Sequence, residues 1–396
     1  MKPFAHRIIL KFKVARCRAA ALAGGIHAMR ELGVSYTEGR GVQKNYSQAM
    51  DWFLKAAAAG DARAADWVAF LHYNGYGVPK DYSKAAVAGQ RGAMRNLGIF
   101  YAKGHGVAQD YAAAMAWLRK AAAKGDAAAM TSIGCLYENG HGVPQDYANA
   151  MHWYGNAAVA GHGAAMYAIG LLYYGGLGVA QDYAGSMDWW HKAAAKGEAA
   201  AIYGIGILYG YGHGVPQDYA NAMHWYGNAA AAGHGDAMYA IGSLYYGGHG
   251  VLKDYAEAMH WYRKGAALTS ASATAMIGVL YHFGYGVPQD YVEARGWYLK
   301  AAAAGESIAM NNIGELYAKG HGVPQNYAVA MDWYLKAAAA GGTDSAEAMA
   351  EIGVLYGSGL GVQQDYTSAM AWYRRWCRGR KQHRRTVRQG PWRTAG

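Results

Sequence analysis

Five histidines stand between paired glycines, at His105, His141, His213, His249 and His321. Imidazole ligates metals and titrates near neutral pH, so such a row reads first as a metal-binding or pH-sensing array. The spacing argues against a shared ion. Copies in neighbouring repeats would lie about 10 Å apart, from ordinary helix-packing distances, whereas zinc ligands each sit ~2.0–2.1 Å from one metal. The same position is Tyr76, Tyr285, Arg40, Leu177 or Leu360 elsewhere. No ligand chemistry is demanded there, and the histidines read as solvated loop residues. His152, His224 and His260, each beside a Trp, read as helix-face residues.

Other chemistries fare no better. The chain has no Gly-rich phosphate loop between a strand and a helix, no His-Glu-x-x-His and no nucleophile elbow. Its aspartates recur once per repeat and are not paired as an acid/base dyad requires. Cys17, Cys135 and Cys377 sit at unrelated phases, which is neither a disulfide framework nor a zinc spacing. The expectation is a protein that is not an enzyme and holds no metal or cofactor.

What positions these residues is a repeat. The Val of the recurring phrase Gly-x-Gly-Val falls at Val42, Val78, Val107, Val143, Val179, Val215, Val251, Val287, Val323 and Val362. The intervals are 36 residues except for 29 before Val107 and 39 before Val362. A fixed period of this size marks stacked units, none of which buries a core alone. In the unit around Val143, Met130, Ile133, Gly134 and Tyr137 form one apolar stripe of helical period. Gly134 has counterparts at Gly33, Gly98, Gly170, Gly206, Gly242, Gly278, Gly314 and Gly353. A mid-helix Gly costs roughly 1 kcal/mol against Ala, so its recurrence suggests another backbone pressed close. Gly140 and Gly142 end this first helix. Asp146 then caps the second, in which Tyr147, Ala150, Met151, Trp153, Tyr154 and Ala157 make a wide apolar face, and all ten copies of the cap are Asp or Asn.

The pattern breaks in five places. Seven residues are missing before Val107, which predicts a short second helix near Tyr82–Ala88 in a shortened repeat at 62–90. Three extra residues around Gly341–Asp344 suggest a longer turn. The closing Gly is absent at Thr269. Residues 1–25 read as an orphan second helix capping the N-terminal end. After Tyr373 the pattern dissolves into a basic tail, 374–396, expected to be disordered.

The phrase Ala-Met-x-x-Ile-Gly-x-Leu-Tyr-x-x-Gly-x-Gly-Val-Pro-Gln-Asp-Tyr-x-x-Ala-Met-x-Trp-Tyr resembles the Sel1-like repeat, a relative of the tetratricopeptide repeat, over roughly residues 26–373. The resemblance implies an all-α, right-handed α/α superhelical solenoid of about ten helix-turn-helix repeats, of the kind that acts as an adaptor in protein complexes, often bacterial. Some cysteine-rich bacterial relatives carry a paired-cysteine bridge in each repeat, and this chain lacks those pairs.

Related superhelices line their concave surface with first helices. The flank positions left free by the repeat pattern there are Arg95, Thr131, Tyr167, Leu171, Tyr174, Tyr203, Ile207, Tyr239, Tyr246, Asn311, Asn312 and Glu315. They are read as a protein- or peptide-binding surface, Tyr-rich in the middle and polar toward the C-terminus. Packing of these tyrosines between neighbouring helices is the competing reading. Residues 141–176 and 213–248 are nearly identical, so duplication of a two-repeat block also accounts for part of the Tyr row.

Charge supplies the alternative. Of a net +11, seven cations lie in residues 1–30 and nine in 374–396, neither stretch holding an acid, so residues 31–373 carry a net −5. The repeat body makes no electrostatic case for nucleic acid. The tail, with Trp376 and Trp392, offers nucleic-acid or anionic-surface binding as the alternative function. A secreted protein that binds cell-wall material is a weaker one. No apolar run is long enough to span a membrane. Lys11 and Lys13 interrupt the first apolar segment too early for a signal peptide. The expectation is an unprocessed, cytoplasmic chain, with the periplasm or export left open.

Overall fold

An Asp or Asn side chain opens each second helix by accepting from the backbone N–H two or three residues on, as Asp146 does from Asn149 N at 2.9 Å. The first turn's free N–H groups therefore gain a partner, worth about 1 kcal/mol per cap. A left-handed Gly closes the first helix, as Gly140 does at φ +68°. Between them Gln145 donates Nε2 to the Glu138 carbonyl and to the Tyr147 hydroxyl. That clamp, repeated at Gln109, Gln181, Gln217, Gln325 and Gln364, satisfies a carbonyl which the helix end leaves open.

These signals produce the architecture of the computed structural model, which describes residues 2–74, 76, 91–105, 107–341 and 345–387. Among the described residues there are twenty helices and no strand. Helix α1 (Lys2–Leu22) comes first. First helices are α2 (Ile26–Glu38), α4 (Ala62–Asn74), α5 (Arg91–Lys103), α7 (Ala127–Asn139), α9 (Gly163–Gly175), α11 (Ala199–Tyr211), α13 (Gly235–Gly247), α15 (Ala271–Phe283), α17 (Ser307–Lys319) and α19 (Ser345–Ser358). Second helices are α3 (Tyr46–Ala58), α6 (Tyr111–Ala123), α8 (Tyr147–Val159), α10 (Tyr183–Ala194), α12 (Tyr219–Ala231), α14 (Tyr255–Ala267), α16 (Tyr291–Ala303), α18 (Tyr327–Ala340) and α20 (Tyr366–Val387). The chain is thus an all-α solenoid of paired helices. It divides into two compact units, Met1–Met166 and Tyr167–Gly396.

The core of most repeats is one large ring from the second helix, with Leu118 in its place on α6. Tyr154, Tyr226, Tyr262, Tyr298 and Tyr334 are buried, as is Trp190 at the same position, and a buried large apolar side chain contributes about 1.5–3 kcal/mol. Each ring lies on the mid-helix Gly of its own first helix. A Cβ on Gly134 would meet Tyr154 Cε1 at 2.4 Å, and one on Gly278 would meet Tyr298 Cδ1 at 2.6 Å. The close neighbour is therefore an aromatic ring, where a second backbone was expected. Trp153, expected in the buried face, is only half-buried. Its counterparts Trp117, Trp261, Trp297 and Trp333 each lie under the ammonium of the Lys three residues on, at 4.1–4.4 Å from the ring centre.

Repeats join through the second Gly of the phrase. At Gly142, φ is +71° and a Cβ would stand 2.3 Å from Tyr111 Cβ of the preceding repeat. Helix α1 fills the same role at the start, its Leu10 backbone lying against Gly41.

The irregular places follow local chemistry. Thr269, where the closing Gly is absent, still takes the left-handed turn at φ +63°. Gly341 has φ +76°, and the rest of that turn, 342–344, lies outside the described residues, as does the short second helix expected near Tyr82–Ala88. The stretch expected to be disordered from Arg374 is instead helical as far as Val387. Arg, Lys and Gln are good helix formers, and no Pro intervenes before Pro391. No helix among the described residues is long and apolar enough to cross a membrane.

Candidate functional site

In the second unit, first helices of successive repeats, α13 with α15 and α15 with α17, touch directly, while successive second helices at most graze one another. First helices therefore lie on the inner side of that stack. The first flank position of a repeat stands opposite the residue 31 positions later, which ends the repeat at the N-cap position of the next first helix, as in the contacts of Arg30, Arg95 and Thr131. In two repeats of the first unit this contact is charged, and in a third it joins a hydroxyl to an imidazole. Arg30 Nη1 donates to Asp61 at 2.7 Å, and Arg95 Nη1 to Asp126 at 3.2 Å. Thr131 Oγ1 meets His162 Nδ1 at 2.9 Å.

In the first three repeats of the second unit the same position is aromatic, and further on it is Ala275 and Asn311. Tyr167 faces Glu198 and stacks on Trp190 at 6.1 Å. Tyr203 stacks on His234 at 4.7 Å, and Tyr239 lies 6.0 Å from the Tyr262 ring. Burial pushes the Tyr167 phenol up to about 12 and those of Tyr203 and Tyr226 well above their usual value. All three are neutral hydroxyls at any physiological pH.

The expected surface divides on inspection. Tyr203 (8% exposed), Ile207 (2%), Tyr174 (2%) and Asn312 (9%) are largely buried. Tyr174 donates to or accepts from His213 Nδ1 at 2.9 Å. Leu171 is half-buried, and Tyr246 packs edge-on to Tyr255 and Tyr285. Glu315 pairs with Lys319 on its own helix. Asn311 is half-buried beside it.

Three of the twelve come together. Tyr203, Ile207 and Tyr239 line a recess of about 600 Å³ in the second unit. Its walls come from α11, α12, α13, α15 and the turn into α17, with Tyr211, Tyr219, Ser243, Met276 and Glu306 among them. Ser243 lies on the flank row beside Tyr239, whereas the sequence pattern did not point to Tyr211, Tyr219, Met276 or Glu306. Tyr219 is the counterpart of the second-helix residue Tyr147, and the recess crosses four repeats, so no one repeat displays it.

The loop histidines have a role that the sequence did not suggest. His141, His213, His249 and His321 stack on Tyr111, Tyr183, Tyr219 and Tyr291 of the preceding repeat at 4.5–5.2 Å. Tyr76 and Tyr285 stack likewise on Tyr46 and Tyr255. A flat ring at this position is part of the joint between repeats.

The comparisons with known proteins agree with this geometry. The Sel1 repeat matches residues 26–61, 62–86, 92–126, 127–162, 163–198, 199–234, 235–270, 271–306, 307–342 and 346–379. A search of curated proteins finds no match. Among solved structures, c5321, a protective antigen of uropathogenic Escherichia coli strains displaying an SLR fold, is 31% identical, with 94% of this chain and 82% of that one covered and a TM-score of 0.59. A Sel1 repeat protein from Oxalobacter formigenes is 35% identical, with 63% of this chain and 100% of that one covered and a TM-score of 0.56. With ten matched segments over most of its length, the chain belongs to the Sel1 repeat family.

Proposed function

We propose that this protein is a non-enzymatic scaffold that holds a protein or peptide partner in the recess on the first-helix face of residues 199–341. Sel1 repeat proteins generally mediate protein–protein interaction, and their scaffold is typically non-enzymatic. The observation that carries the assignment to this face is the recess itself. Four successive repeats contribute to it, and its walls mix aromatic rings with hydroxyl and amide groups, the composition of an adaptable contact surface.

The test is site-specific crosslinking. A photoreactive residue replacing Tyr239 should capture a partner from extract of the source cells, and Tyr203→Ala with Tyr239→Ala should abolish recovery while the helical content stays intact. Equal capture from the position of Lys264, on the outer side of α14, would sink the assignment.

A second reading has one observation in its favour: the basic C-terminal segment continues as helix to Val387. Basic helices bind anionic polymers and surfaces. Salt-sensitive binding to single-stranded nucleic acid or anionic vesicles, lost on removing residues 379–396, would support it.

A further inference from the structure

Four successive first helices end at the same contact, and one of them brings no side chain to it. The next-to-last residues of α9, α11, α13 and α15 are Tyr174, Gly210, Tyr246 and His282. At three of these a ring lies edge-on to the tyrosine that opens the following second helix. Tyr174 meets Tyr183 at 5.3 Å, Tyr246 meets Tyr255 at 5.5 Å and His282 meets Tyr291 at 5.5 Å. Each of those tyrosines also stacks on the loop ring of the next repeat, His213, Tyr285 or His321.

The α11 repeat keeps this arrangement apart from the first-helix ring. Tyr219 opens α12 and His249 stacks on it at 5.2 Å, but Gly210 has no side chain to set against it. Gly210, Tyr219 and His249 all line the recess. We propose that the recess takes a tyrosine side chain of the partner, its ring edge-on to Tyr219 in the space that Gly210 leaves and its hydroxyl on His249 Nδ1. This rests on the recess being the partner site, and it adds the residue by which the partner is held. Tyr174 provides the pattern within the same unit. Its ring is 2% exposed and its hydroxyl stands 2.9 Å from His213 Nδ1, and His249 is the counterpart of His213. A ring enclosed in this way gives a large contact area at low entropic cost. Phenylalanine fits the same space without the hydrogen bond, so tyrosine should be preferred by roughly three- to tenfold.

The experiment titrates the full chain with N-acetyl-tyrosinamide, N-acetyl-phenylalaninamide and N-acetyl-leucinamide, read by saturation-transfer NMR at millimolar concentration, the range that a single side chain reaches. The tyrosine compound should bind most tightly, the phenylalanine one several-fold more weakly and the leucine one not measurably. Gly210→Tyr supplies the ring from the chain itself and should abolish binding. Tyr246 and Tyr262 already combine tyrosines at the places of Gly210 and Tyr226, so this variant should fold. His249→Phe keeps a flat ring on Tyr219 and removes the nitrogen, so it should bring the preference for tyrosine over phenylalanine to about one. The proposal fails if the three compounds bind alike, if none binds, or if folded Gly210→Tyr binds the tyrosine compound as the parent does. Should Gly210→Tyr not fold, an unchanged preference in His249→Phe overturns it. Crosslinking from the Tyr239 position separates this failure from failure of the partner site. Capture that persists there keeps the recess and removes only the tyrosine, whereas capture no better than from the Lys264 position removes both.

Discussion

Where two repeats of Met1–Met166 tie a first helix to the end of the repeat with a guanidinium on a carboxylate, three repeats of Tyr167–Gly396 place a phenol ring at that position. The frame is shared: the same 31-residue offset, the same capped second helix, the same ring on a mid-helix Gly. The filling differs, and the difference separates two jobs. Arg30 and Arg95 are consumed in holding repeats together. Replacing them with Tyr167, Tyr203 and Tyr239 removes the cations and widens the apolar surface. The second unit holds a recess lined by Tyr203 and Tyr239. Stability lives in the shared frame and recognition in the filling, so substitutions should sort accordingly.

The frame should give the largest effect, and the same one in both units. Gly142→Ala in the first and Gly214→Ala in the second each force a left-handed Ala, which costs about 1–2 kcal/mol. The new Cβ would also lie 2.3 Å from Tyr111 Cβ or 2.6 Å from Tyr183 Cβ. The backbone of the joint must shift, and the total loss should reach roughly 3 kcal/mol or more. Hydrogen exchange should show the loss centred on the mutated joint, since a stacked-repeat array opens locally. A loss in only one unit would break the claim that the frame is common.

Most of that frame was legible in the sequence, because a repeat is a pattern and each element is read ten times. Caps, turns, helix pairing and the apolar stripe all announce themselves by residue type at fixed spacing. The joints were less legible. That Gly134 faces a ring within its own repeat, or that His213 stacks on Tyr183 of the preceding one, depends on which side chains meet between helices, and spacing along one chain does not encode that. The recess was least legible. Tyr203 and Tyr239 stood out as departures from the pattern, but Tyr219 and Glu306 obey it and become wall residues only through stacking.

The filling should respond differently in each unit. Asp126 is almost buried and also caps α7 through Ala129 N. Arg95→Ala leaves that carboxylate without its cation and should cost about 1–2 kcal/mol, below the 3–5 kcal/mol of a fully buried pair because Arg95 is partly solvated. Tyr167→Arg supplies the missing guanidinium opposite Glu198. It should leave stability within about 0.5 kcal/mol, as expected for a partly exposed pair replacing lost packing. Urea unfolding of the two variants beside the parent chain measures both. A destabilisation by Tyr167→Arg as large as that by Arg95→Ala would show that the tyrosine is structural cement like the arginine.

Acid should loosen the second unit through its buried imidazoles. Burial holds His213, His234 and His282 below the ordinary imidazole value of 6.5. They face phenols: Tyr174, Tyr183 and Tyr211 around His213, Tyr203 beside His234, and Tyr291 and Tyr298 around His282. The carboxylates of Glu198 and Asp236 near His234, and of Glu315 near His282, oppose the shift without reversing it, while Lys319 and His321 add to it at His282. Because the folded values are depressed, the stabilisation is full above 6.5 and is lost as pH falls through the folded values. His234 also accepts the Ala237 N–H, a bond that its protonation destroys. Unfolding free energy should therefore fall between pH 7.5 and 5.5, and His213→Gln should flatten the slope. A slope unchanged in that variant would remove His213 from the account.

The smallest expected effect is a gain, and it tests how strictly the frame governs. Thr269 is the one non-glycine with positive φ among the described residues. Gly125, Gly161, Gly197, Gly233 and Gly305 hold the same closing turn in other repeats at φ +78° to +92°. A β-branched residue is strained there, and Thr269 is exposed, so little packing offsets the strain. Thr269→Gly should relieve about 1 kcal/mol of it, less the extra backbone entropy that Gly brings to the unfolded chain. The net gain should be about 0.5 kcal/mol and confined by hydrogen exchange to α14 and α15, the helices this turn joins. The recess wall borrows Ser272 and Met276 from α15. A tighter turn should therefore stiffen one wall and leave peptide affinity unchanged or slightly improved. A loss of affinity would mean that the strain at Thr269 serves binding, and that the filling reaches further into the frame than the comparison of the two units allows.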